Sequence, residues 1–182
     1  MLKYIYLSLT LLVLKVTCLF REGACPELNH GNLTLDLKSI MGRWYEVARH
    51  KNSTMERGMC VYNDLMMNDD GTFNFTITQR LPTGLDEFSG MLSPTSYPFR
   101  FNALLHSDLA NIQFPYYILS TDYTNYLVDY TCMNVEGGRD EYLHIWFRNQ
   151  DYSKRMLRHI LDYLRENFMF TEDLLEFTRI NC

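Results

Sequence analysis

Phe99-Arg-Phe-Asn-Ala-Leu-Leu105 sets rings and aliphatic side chains at alternate positions with Arg100 and Asn102 between them, the period of a strand with one buried face. The same two-residue rhythm recurs in Gly42–Arg49, Met59–Leu65, Thr72–Gln79, a weaker Glu87–Leu92, Tyr116–Asp122, Asn125–Cys132 and Glu141–Arg148. Asn68-Asp-Asp-Gly71 and Val135-Glu-Gly-Gly-Arg-Asp140 supply hairpin turns, and Tyr123-Thr124 a shorter one. Pro82-Thr-Gly84 and the Pro94 to Pro98 connection interrupt the pattern, and Gly90 predicts a bend or bulge in the fourth strand. Strands joined almost entirely by hairpins predict an all-β fold, an eight-stranded up-and-down antiparallel β-barrel.

After the last strand the period changes. Ser153 suits a helix N-cap, with Met156, Leu157, Ile160, Leu161 and Leu164 on one face and Lys154, Arg155, Arg158 and Asp162 on the other. This predicts one C-terminal α-helix packed outside the barrel by its apolar stripe. Thr171–Cys182 returns to extended character. Ahead of the first strand, Leu35–Ser39 predicts a short helical turn ending near Gly42, and His50–Gly58 is a polar loop long enough to form a lip over a cavity.

The N-terminus changes the compartment. Lys3 precedes an apolar run too short to span a bilayer comfortably, so residues 1–18 are expected to be a signal peptide, with cleavage between 18 and 24, and residues 19–182 a single domain. Beyond Cys18, Cys25, Cys60, Cys132 and Cys182 form an even set. In an oxidising compartment that predicts two disulfides, with three pairings open. A net charge of -5 gives no electrostatic footprint for nucleic acid. The 13 Tyr and 11 Phe exceed what a small core requires and suit the lining of a cavity. Asn32, Asn52 and Asn74 each open an Asn-x-Thr sequon, expected at the surface of a secreted chain.

Three patterns occur in order: Gly42-x-Trp44, Thr121-Asp122-Tyr123 and Arg148. With the leader, eight strands and one late helix, the chain resembles the lipocalin family across its mature length. Within that family it is similar to the apolipoprotein D and insect bilin-binding (insecticyanin-like, Lazarillo-like) branch, on Gly42-Arg-Trp-Tyr-Glu46, Thr121-Asp-Tyr-Thr-Asn-Tyr126, Tyr130-Thr-Cys132 and Arg148-Asn149. The resemblance implies a closed barrel around an apolar ligand site, Arg148 stacked over Trp44 at the closed end, and the disulfides Cys25–Cys132 and Cys60–Cys182. A guanidinium over an indole is favourable in its own right.

If those cysteines point outward, alternation sends Met59, Val61 and Asn63 inward, with Leu127, Asp129 and Thr131. A glycosylated Asn74 would likewise send Phe73, Phe75 and Ile77 inward. Phe99, Phe101 and Ala103, and Tyr142, His144 and Trp146, complete the expected wall, together with Tyr116 and Ile118. If Thr131 opposes Tyr142, then Asp129 opposes His144. That carboxylate and imidazole serve either as a mutually satisfied structural pair or as contacts to polar atoms of a ligand.

The expected function is a secreted carrier of a small hydrophobic ligand; the branch implies a bilin, retinoid, sterol-like or fatty-acyl molecule. The alternative is an isomerase or oxidoreductase acting on a bound lipid, with Asp129 and His144 as an acid–base pair, though no free thiol or placed serine accompanies them. A third reading takes Met66, Met67 and Met169 as oxidisable surface groups, against the commoner role of methionine as a filler of core and loop contacts. No cofactor or metal motif is present, and a lone His144 among rings reads as packed or hydrogen-bonded. Expected partners are the ligand, a peripheral membrane or receptor contact, and no nucleic acid; the expected state is a monomer or weak homo-oligomer.

Overall fold

The structure is a computed structural model and describes residues 22–28, 35–51, 53, 56–106 and 111–178. The expected leader, Asn32, Asn52 and Cys182 lie outside the described residues.

Eight antiparallel strands form the barrel: β1 (Gly42–His50), β2 (Met59–Met67), β3 (Phe73–Leu81), β4 (Gly84–Pro94), β5 (Arg100–His106), β6 (Ile112–Thr121), β7 (Tyr126–Val135) and β8 (Gly138–Phe147). Each pairs with the next, β8 pairs with β1, and β1 pairs with β2, so the sheet closes on itself. Helix α1 (Lys154–Phe168) follows, with Ser153 accepting a hydrogen bond from the Met156 N–H. A short strand β9 (Leu175–Phe177) then pairs with the last residues of β1. Closure and the external helix agree with the sequence reading.

The apolar stripe of α1 explains where it sits. Leu157, Ile160 and Leu164 are buried with Val47, Leu119, Val128, Tyr130, Leu143, Ile145 and Phe147, the outward side chains of β1, β6, β7 and β8. The inward side chains form a second core, including Trp44, Leu65, Phe73, Phe101, Ile118, Leu127 and Trp146.

Several expectations shift in detail. Met59 does not point inward; it is 49% exposed. A register shift separates Met59 from Tyr62 and Cys60 takes a positive φ of 57°, so the strict alternation begins only at Val61. Gly90 marks no bulge, since β3 and β4 pair without a break. Its role is close approach: a Cβ there would meet the Phe75 ring at 2.5 Å and the Leu104 carbonyl oxygen closer still. Strand β6 begins at Ile112, ahead of the expected start, with Pro115 seated within it opposite Asn102. Strand β5 begins at Arg100, so Phe99 is buried just before it, its carbonyl accepting from the Ile118 N–H at 2.9 Å. Met66 and Met169 stand 69% and 82% exposed, at the surface and not as core filler.

A candidate ligand cup

Antiparallel order puts the start of β1, the turn after β6 and the end of β8 at one end of the barrel, and there the chain is shut. Gly42 adopts φ +96°, a left-handed conformation open to glycine, where the Leu35–Ile40 turn swings into β1. Two residues on, the buried Trp44 indole donates from Nε1 to the Ile40 carbonyl at 2.8 Å. The Arg148 guanidinium lies 3.6 Å from the centre of that ring. It also donates to the Met41 carbonyl at 2.7 Å and the Ser39 carbonyl at 2.8 Å. The Thr121-Asp122-Tyr123 turn completes this end. Thr121 Oγ1 accepts from the Tyr123 N–H and donates to the Tyr126 carbonyl, and Asp122 Oδ1 accepts from the Asn125 and Tyr126 N–H groups.

Above this floor lies a cup lined by Phe75, Ile77, Phe88, Leu92, Leu105 and Phe114 on one side and Tyr116, Thr131, Tyr142, His144, Asp129 and Trp146 on the other, with Asn63 and Glu56. Of the residues expected on the wall, Asn63, Phe75, Ile77, Tyr116, Asp129, Thr131, Tyr142, His144 and Trp146 line it. Val61, Phe73, Phe101, Ile118 and Leu127 are packed in the inner core around it, with Phe73 and Phe101 edge to face at 5.1 Å. Phe99 stands outside that set. The free volume is about 30 Å³. That is room for a water or two, against the roughly 300–1,000 Å³ of sites for drug-sized ligands. A ligand therefore enters only by parting the lining.

The polar end of the cup is one connected cluster. In the register of β7 and β8, Asp129 faces His144 and Thr131 faces Tyr142. His144 Nδ1 lies 2.8 Å from Asp129 Oδ1, and its Nε2 lies 3.2 Å from Glu56 Oε2. Tyr116 Oη and Trp146 Nε1 both donate to Asp129 Oδ2. Burial alone would drive the proton off His144, but the carboxylates of Glu56 and Asp129 outweigh it and hold its pKa well above 6.5. Burial likewise pushes Glu56 up, and His144 more than reverses that, leaving it below the usual carboxylate value. The imidazolium is thus clasped by two buried carboxylates.

Glu56 escaped the sequence reading. Among the described lining residues it is the one carried by a loop, and a polar loop has no hydrophobic period to betray a buried side chain. The one local signal is the spacing of Ser53 and Glu56. Ser53 Oγ donates to Glu56 Oε2 at 2.6 Å and accepts from the Glu56 N–H, so the hydroxyl holds both ends of Glu56 while the Ser53 N–H goes to the His50 carbonyl. The loop's end is fixed by Gln79, whose Oε1 accepts from the N–H groups of Arg57 and Gly58. Close by, buried Arg49 donates to Glu46 Oε1 and to the Gly58 carbonyl, both at 3.1 Å.

Residues 41–178 match the model of the lipocalin / cytosolic fatty-acid binding protein family. The chain belongs to this family. Among its lipocalin relatives are apolipoprotein D of Cavia porcellus, 26% identical over 90% of this chain and 86% of the relative, and the Lazarillo protein of Schistocerca americana, 29% identical over 85% and 75%. The solved structure of insecticyanin from the tobacco hornworm Manduca sexta shares the fold, with a TM-score of 0.74 at 16% identity over 87% of each chain. The disulfide Cys25–Cys132 is present in this lipocalin, bridging 107 residues, and fits an oxidising compartment. Asn74 lies exposed on β3.

Proposed function

We propose that this lipocalin is a secreted carrier that holds one small hydrophobic molecule in the cup. The observation that carries the reading is the division of the lining: a half-shell of apolar side chains from β3 to β6 faces a compact polar cluster of Asp129, His144 and Glu56. Apolar area supplies affinity at roughly 25 cal/mol per Å² removed from water, and the polar cluster orients the guest. The names of relatives support the same reading, since a bilin-binding protein from Pieris brassicae is 24% identical over 70% of this chain. Val61, Phe73, Phe101, Ile118 and Leu127 act here as the packed frame of the cup, with Cys60–Cys182 as its second staple and Asn32, Asn52 and Asn74 as glycan acceptors.

Native mass spectrometry of the protein secreted from eukaryotic cells, with identification of any co-purified small molecule, tests the reading. A bound apolar species is the expected result. An empty protein that also takes up no apolar probe overturns it.

A further inference from the structure

Donors and acceptors in the cup do not balance. Tyr116 Oη and Trp146 Nε1 both donate to Asp129, and the two ring nitrogens of His144 are engaged by Asp129 and Glu56. Tyr142 Oη donates to Asp140. Thr131 adds a hydroxyl that can turn either way, and the Asn63 amide adds N–H donors, none of which reaches Glu56 Oε1. On the acceptor side, Glu56 Oε1 and Asn63 Oδ1 are buried and have no hydrogen-bond partner among the described residues. Their residues are 1% and 5% exposed, so water does not serve them freely. A buried acceptor without a donor carries its full desolvation penalty, and a carboxylate oxygen more than most.

Charge points the same way. Two carboxylates flank one imidazolium, leaving the clasp with an excess negative charge, while nearby Arg49 pairs with Glu46 at 3.1 Å and with Glu176 at 3.5 Å. The Glu46 carboxyl is pushed up to about 7 by burial, with His144 and Arg49 opposing and Glu56 adding to the push.

Resting on the carrier reading, we propose that the cup selects small apolar molecules whose polar end is a protonated amine, accepted by Glu56 Oε1 and Asn63 Oδ1, and disfavours molecules of the same tail that end in a carboxylate. The tail lies among the rings and aliphatic groups of β3 to β6. The amine supplies the donors that the cup lacks and cancels its excess charge; a carboxylate would bring two more acceptors and a third negative group beside His144.

Decylamine, decan-1-ol and decanoate share a tail and differ in the head. Each is titrated into the full secreted chain at neutral pH by isothermal calorimetry. Decylamine is expected to bind at least about tenfold tighter than decanoate, the worth of one charge-assisted hydrogen bond. Glu56→Gln, which keeps the shape and removes the charge, is expected to shrink that ratio several-fold, and Asn63→Asp to widen it. Decanoate binding as tightly as decylamine overturns the head assignment alone, because the carrier reading survives it. So does a folded Glu56→Gln that binds decan-1-ol with the ratio intact. If Glu56→Gln does not fold, the wild-type comparison and Asn63→Asp still decide. Failure of all three probes to bind brings down the carrier reading, and this inference with it.

Discussion

Arg148 lies over the Trp44 indole at 3.6 Å while its two terminal nitrogens hold the carbonyls of Met41 and Ser39. One guanidinium therefore covers the plug of the barrel and ties the turn before β1 to the end of β8. Trp44→Ala is expected to lower unfolding free energy by about 3–5 kcal/mol, as large core truncations do. Arg148→Lys keeps the charge but loses the fork that reaches both carbonyls, and should cost about 1–2 kcal/mol. Urea unfolding followed by tryptophan fluorescence measures both, and a Trp44→Ala protein of unchanged stability would show that the indole does not close the barrel.

The buried clasp makes stability depend on pH on both sides. Glu56 has a lowered pKa in the fold, so its contribution is complete above the unfolded value near 4.5 and is lost as pH falls through the folded one. His144 has a raised pKa, so its contribution is complete below 6.5 and is lost as pH rises through the folded value. Glu46, raised to about 7, acts in the direction of His144 and loses its contribution between pH 4.5 and about 7. The melting temperature should therefore fall on the acid side of about pH 4.5, begin to decline above it as Glu46 ionises, and decline further above neutrality as His144 loses its proton. His144→Gln should flatten the alkaline decline; an unchanged alkaline limb in that variant refutes the clasp.

Cys25 and Cys132 are joined across 107 residues, tethering the segment before the barrel to β7. The loop-entropy model assigns a closure of this size about 4–5 kcal/mol. A Cys25→Ser/Cys132→Ser double variant should lose that much in denaturant titrations, and its far-UV spectrum should remain that of a β-barrel under native conditions.

Gly90 leaves its face of β4 to the ring of Phe75. Gly90→Ala should cost about 1–3 kcal/mol through overpacking and displace that ring. Gly90→Ala with Phe75→Leu should recover part of the loss, and a double-mutant cycle of thermal melts reads the coupling. Additive costs would place the clash with the Leu104 carbonyl instead.

Much of this architecture was legible because strands have a strict period. With Cys132 outward, as the resemblance implies, parity sends Asp129 inward, and the condition that Thr131 opposes Tyr142 then sets Asp129 opposite His144, which is the register of β7 and β8. The same logic failed at Met59 for a local reason: the left-handed Cys60 spends one residue without advancing the alternation, and no residue type there announces it. Pro115 concealed the first half of β6, since its missing N–H reads as a break although the ladder continues around it. Glu56, Glu46 and Arg49 were opaque for another reason. Charged residues are read as solvated, and only tertiary packing reveals that these three are interior.

The placement of α1 gives the barrel two mechanically different sides. Strands β6, β7, β8 and β1 carry a second packed layer on their outer faces, while β3, β4 and β5 present theirs to solvent without the helix behind them. Asp129 and His144 are mounted on the reinforced side, while most of the purely apolar lining, Phe75, Ile77, Phe88, Leu92 and Leu105, hangs from the unreinforced one. On the carrier reading, expansion to admit a guest falls to that apolar side and away from the pair that must keep its geometry, so the cup yields in size while its polar end stays in register.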